Sequence, residues 1–252
     1  MFLSKLTYPE AAGVLGPETV AIVPIGCTEP HGPHLPLDTD VTIAVAQSRR
    51  AAELLAEERV RAVVLPALGY GVTNFTDGFA GRITIQPATL WNLLEDIVDA
   101  LEQHGVRRVV FSNGHLEPAH VAVLRGVAMD HERRTELDAQ VLFVDVTRRR
   151  HAEALGDAFR KGDHAGRYET SLVLAADPEA VREEVRLHLA PVEVDLVGAI
   201  RGGALHFVDI GVKQAYCGDP ARASAEEGRA TIETLARMIA DAVREAWPEL
   251  YS

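Results

Sequence analysis

The stretch Val20–Asp40, "VAIVPIGCTEPHGPHLPLDTD", changes character twice. Val20 to Ile25 is an unbroken apolar run rich in β-branched residues. Bounded by Gly26, such a run reads as a strand buried on both faces. The loop that follows, Gly26 to Asp40, holds His31 and His34, the carboxylates Glu29, Asp38 and Asp40, and the stiffening residues Pro30, Gly32, Pro33 and Pro36. From Val41 to Glu57 the apolar spacing turns helical. Strand, rigid polar loop and helix together form the opening of a βαβ unit. Parallel sheets gather their ligands at the C-terminal ends of such strands.

The same alternation continues outward from this unit. Arg61 to Leu65, Arg108 to Ser112 and Gln140 to Val144 read as further short strands. Leu90 to Gln103 and Ala119 to Arg133 read as helices. Asp38 or Thr39 is placed to cap the first helix, Pro87 to open the second region and Gly105 to follow its end. The fold class expected is α/β, a single layered domain over residues 1–252 with a mostly parallel central sheet flanked by helices on both faces. A final alanine-rich helix, about Ala225 to Glu245, suits packing or a subunit contact. Glu193 to Tyr216 is punctuated by glycine and reads as an extra strand or hairpin. Arg148-Arg149-Arg150 reads as a solvated helix start.

Composition excludes several classes of function. The 252 residues are 47% hydrophobic with a net charge of -12, which suits a globular domain and opposes both phosphate backbones and anionic membrane surfaces. No apolar run is long enough to span a bilayer. The N-terminus lacks a secretory pattern, and Cys27 and Cys217 stand far apart without zinc-finger spacing, so a cytoplasmic protein with reduced thiols is expected. Dinucleotide, P-loop and serine-hydrolase motifs are missing.

The metal-capable residues gather in three clusters. The first is Glu29, His31, His34, Asp38 and Asp40. The second is "SNGHLE", Ser112 to Glu117. The third is "HAGRYETS", His164 to Ser171. Each pairs imidazole with carboxylate, a donor set suited to zinc, manganese or iron. For any single histidine, capping or hydrogen bonding is a sufficient account. Three such clusters at one edge of a sheet favour a site. His120, one turn beyond Glu117, is open to a supporting role or to helix packing.

"PIGCTEPHGPHLPLDTD", "SNGHLEPAH" and "HAGRYETS" resemble the three signature blocks of the creatininase family of metal-dependent amidohydrolases. "GYGVTNFTDGFAGRITI" and "YCGDPARASAEEG" resemble two further blocks, in order. The resemblance implies hydrolysis of a non-peptide C–N bond in a small, commonly cyclic, amide. It also implies two divalent ions per chain, zinc first with manganese or iron as alternatives, and a homo-oligomer, commonly a hexamer. Glu29 and His115 would hold one ion, His31 and Glu117 the other, with Asp40 bridging. His164 would face the reacting amide, and Glu169 would be a ligand or support one. Glu117 and Glu169 are the next candidates for proton transfer. One departure concerns substrate. Creatininase has a tryptophan shortly before the third-block histidine, whereas this chain reads Phe159-Arg160-Lys161-Gly162-Asp163, with tryptophan only at Trp91 and Trp247. That argues against creatinine. Relatives that deformylate a ribosylaminopyrimidine intermediate or trim a peptide supply alternatives, and a metal-binding protein without turnover is the alternative from another class.

Overall fold

The structure, a computed structural model, describes residues 1–133 and 138–251. Four strands, β1 (Val20–Ile25), β2 (Ala62–Val64), β3 (Arg108–Asn113) and β4 (Gln140–Phe143), form one all-parallel sheet in the order β2-β1-β3-β4. Ten α-helices accompany them among the described residues. Four are long: α2 (Thr39–Glu57), α3 (Pro87–Gln103), α4 (Pro118–Glu132) and α10 (Ala225–Ala246). Near the N-terminus lies α1 (Tyr8–Val14), and after β4 come α5 (Arg149–Ala152), α6 (Gly156–Arg160), α7 (Arg167–Ala176), α8 (Glu183–Arg186) and α9 (Leu196–Arg201).

The pleat of β1 sorts the core. Ala21, Val23 and Ile25 face one layer, where Leu90, Leu94 and Val98 of α3 and Leu124 and Val127 of α4 pack with Phe111 of β3. Val20 and Ile22 face the other, where Leu55 of α2 and Ile239 and Val243 of α10 pack with Val110. This period-two split explains why the strand is apolar throughout: helices cover both of its faces.

The chain leaves β1 towards β2 and then crosses to β3 on the opposite side. The reversal leaves a crevice beyond the C-terminal ends of β1 and β3. The first two sequence clusters follow these two strands. Helix α2 enters the crevice over two glycines. A Cβ on Gly26 or Gly114 would strike the backbone of Asp40 and Val41 at the start of α2. Gln47 also ties α2 to β3, donating to Ser112 Oγ (2.9 Å) and to the Asn113 carbonyl (3.1 Å).

Two local expectations need correction. Glu193 to Tyr216 contains no strand: it holds α9 and a 3-10 turn, Phe207–Ile210, with isolated bridges of Val192 to Gly218 and of His164 to Cys217 beside it. Its glycines end helical turns, as at Gly202 and Gly211, rather than marking a hairpin. Asp38 occupies the N-cap of α2, but neither it nor Thr39 caps with its side chain; the Thr39 hydroxyl donates to the Pro36 carbonyl instead. Trp91 packs on the sheet's α3–α4 face and Trp247 on the α10 face, so both tryptophans are core residues.

Gly114→Ala is expected to push back the first turn of α2 and destabilise the fold by about 1–3 kcal/mol, the usual cost of overpacking. Chemical denaturation checks this; unchanged stability would mean that the α2 contact yields easily.

Candidate metal centre

Seven predicted residues can be placed, and six of them converge in the crevice. Glu29, His31, Asp40, His115, His164 and Glu169 are all buried. Asp40 is central. Its Oδ1 lies 3.1 Å from His31 Nε2, and its Oδ2 lies 3.0 Å from His115 Nδ1. Glu29 Oε1 is 3.1 Å from the same His115 nitrogen. Glu169 Oε2 is 3.6 Å from His31 Nε2. Four groups of metal-capable atoms gather here among the described residues: Glu29–Asp40–His115 and His31–Asp40–Glu169 share Asp40, and Glu29–His31–His164 and Cys27–His115–His120 adjoin them.

Backbone carbonyls orient the imidazoles. His31 Nδ1 is 3.1 Å from the Glu29 carbonyl, and His115 Nε2 is 3.0 Å from the Val72 carbonyl. A carbonyl can only accept, so those nitrogens carry the protons, and the opposite nitrogens point at the carboxylates. Threonines hold Glu29: the hydroxyls of Thr73 and Thr76 both donate to its Oε2. The Ala165 N–H donates to Glu169 at 2.6 Å, in the first turn of α7 where a carboxylate is favoured.

Glu117 lies apart from both groups. Its carboxylate accepts from the N–H groups of Asn74 (2.5 Å) and Phe75 (3.1 Å) and from Asn74 Nδ2 (3.1 Å), and so pins the 74–75 loop. That loop carries a residue the sequence reading missed. The Phe75 carbonyl accepts from Phe207 N–H at 2.8 Å, and the Phe207 ring lies 4.7 Å from the ring of His164. His31 covers His164 from another side at 4.5 Å, and the Pro30 carbonyl accepts its Nε2–H at 3.0 Å. Phe207 had no usable signal in the sequence, because it lies in the segment misread as a strand. Phe159 and Tyr168 instead pack on each other, 5.0 Å apart.

The acids set the electrostatics of the centre. Burial opposes charge on His31, yet Asp40, Glu169 and Glu29 raise it to about 10. Burial likewise opposes charge on His115, which the neighbouring acids nonetheless hold well above the usual imidazole value. Burial, and then the nearby His31, push His164 down to about 4. Burial pushes the Cys27 thiol up to about 11, which leaves it a poor ligand. Burial, and then Asp40, push Glu169 up to about 8 against the pull of His31, so the three buried acids together call for positive charge. His31 Nε2 and Asp40 Oδ2 are sealed from solvent without any hydrogen bond. A donor set of this kind fits divalent cations.

A model of the family described as creatininase, creatinine amidohydrolase, matches residues 4–243. The chain belongs to the creatininase family. It is 29% identical to the creatinine amidohydrolase of Pseudomonas putida over 269 residues, covering 98% of each chain. It is 37% identical to the mycofactocin precursor peptide peptidase of Mycobacterium tuberculosis strain H37Rv over 232 residues, covering 88% of this chain and 82% of that one. A solved manganese form of creatininase superposes with a TM-score of 0.69 at 27% identity, covering 98% of both chains. The chain is therefore a creatininase-family hydrolase. Among the described residues no helix is long and apolar enough to cross a membrane.

Because the acids hold His31 and His115 above the usual imidazole value and burial pushes Glu169 up to about 8, ions entering the metal-free protein at pH 7 are expected to displace protons from these groups. Calorimetric titration in two buffers of different ionisation enthalpy measures the number. Zero released protons would mean that these histidines do not become ligands.

Proposed function

We propose that this chain is an amide hydrolase working with two divalent ions, zinc first with manganese or iron as alternatives. Glu29, Asp40 and His115 hold one ion, and His31, Asp40 and Glu169 hold the other. The observation that carries this reading is Asp40, whose two oxygens face two different histidines at 3.1 and 3.0 Å in a buried centre. Glu169, rather than Glu117, completes the second set, because Glu169 Oε2 lies 3.6 Å from His31 Nε2 and groups with it and Asp40.

Ions bound there supply a water of lowered pKa and polarise an amide carbonyl. The protein's own groups do the rest. Asp40 and Glu29 offset the charge of the ions, and the Glu29 and Val72 carbonyls keep His31 and His115 in the ligating tautomer. His164 keeps its Nε2 proton on Pro30, so Nδ1 is the atom that takes a proton and returns it to the leaving nitrogen. Phe207 and His31 hold that ring between them and restrict water around it.

The substrate is a small amide with a non-peptide C–N bond, cyclic or a formamide. Phe207 borders His164 where creatinine would call for a broad tryptophan wall, so creatinine turnover is expected to be weak. A second reading, cleavage of a short peptide, draws on the M. tuberculosis relative. A cleft of about 610 Å³ has Gly162, Asp163 and Arg167 among its walls but neither His164 nor any of the candidate donor residues.

Elemental analysis of protein purified without chelator is expected to find about two ions per chain, and Asp40→Ala to lose both, since one carboxylate serves two centres. Retention of one ion by that variant would make Asp40 a terminal ligand. His164→Ala is expected to keep both ions while kcat falls by about 10²–10⁴, or roughly 3–5 kcal/mol of barrier. A panel of creatinine, cyclic amides, formamides and short peptides supplies the substrate for that assay. Unchanged kcat on the best substrate would place the proton donor elsewhere.

A further inference from the structure

His120, on α4, is fully buried and contacts none of the carboxylates described above. Both its ring nitrogens are nonetheless used. Nδ1 accepts the Val72 N–H at 3.3 Å, and Nε2 donates to Asn113 Oδ1 at 3.1 Å. Accepting at one nitrogen and donating at the other defines a neutral imidazole in a single tautomer.

Its two partners both act on His115. Asn113 Oδ1 also accepts the His115 N–H at 3.2 Å, and Asn113 Nδ2 donates to the His115 carbonyl. Val72 offers its N–H to His120 and its carbonyl to His115 Nε2, at 3.0 Å. One residue is thus held at its N–H and at its carbonyl by two imidazoles, whose rings meet edge to face at 4.9 Å and 81°. The circuit runs from His120 through Asn113 to the backbone of His115, and through Val72 to its side chain. It leaves Nδ1 of His115 aimed at Glu29 and Asp40. Gly71 allows this closeness, because a Cβ there would strike the His120 ring and Cys27 Sγ.

We propose that His120 is a positioning residue that fixes the tautomer and direction of His115 and so tunes the affinity of the ion held by Glu29, Asp40 and His115. Helix packing alone would need a ring of this size but neither hydrogen bond. The inference rests on the two-ion reading above.

The test is competitive zinc titration of metal-free wild type, His120→Phe and His120→Gln against a chelating dye, with thermal unfolding of each metal-free protein. His120→Phe keeps the ring and loses both hydrogen bonds. Loss of a partner that orients a ligand costs about 10–100-fold in metal affinity. One of the two zinc affinities is expected to fall by that factor, and the other to change less. His120→Gln, which can still donate to Asn113, is expected to recover part of the loss even where His120→Phe folds poorly. Zinc affinities equal to wild type in both variants would overturn the proposal, whatever happens to the unfolding temperature, and so would equal weakening at both sites. Wild-type protein that takes up no zinc would overturn the two-ion reading, and this inference with it.

Discussion

The buried carboxylate of Asp40 organises everything around it. It stands in the first turn of α2, and that turn reaches the ends of β1 and β3 only because Gly26 and Gly114 present no side chains. A buried anion is expensive unless opposite charge meets it. His31 and His115 meet it from two loops that the chain visits far apart in sequence. The positions of Glu29 and Glu169 then follow, each beside one of those histidines.

Such a centre is poorly designed for stability and well designed for binding. Replacing a buried ionic cluster with apolar residues of similar volume is often neutral or stabilising. Here three buried acids and two raised histidines lie beside core clusters that are wholly apolar. The backbone carbonyls of Glu29 and Val72 each accept a hydrogen bond from one ring N–H and so turn the other nitrogen toward the carboxylates. That preparation suits cations of the kind the donor set prefers.

How far the sequence showed all this differs from part to part. β1 and the start of β3 were legible to the residue, since an apolar run buried on both faces has one reading once glycine and helical periodicity follow it. The gathering of Glu29, His31, Asp40 and His115 followed from parallel topology, which puts strand exits on one edge. The relation of Glu117 to Glu169 was not legible. Both are carboxylates near a histidine in sequence, and only the path of the 74–75 loop shows that backbone N–H groups engage the first. Phe207 was hidden for a different reason: its segment has neither strand nor long-helix periodicity, and a 3-10 turn of this length leaves almost no pattern to read.

The structure also separates the candidate donor groups from the surfaces around His164. The donor groups hang from the ends of β1 and β3 and the first turns of α2 and α7, elements anchored in the core. The surfaces near His164 come instead from irregular chain: the 74–75 loop, the Phe207 turn and the cleft beside Asp163. Loops of this kind change more freely than the scaffold beneath them. A family can therefore keep one hydrolytic centre while its members act on different amides. Relatives named for creatinine and for a precursor peptide, at 29% and 37% identity, fit that division. On the proposed reading, the chemistry of this chain lies in its strand exits and its choice of substrate in the irregular segments around His164.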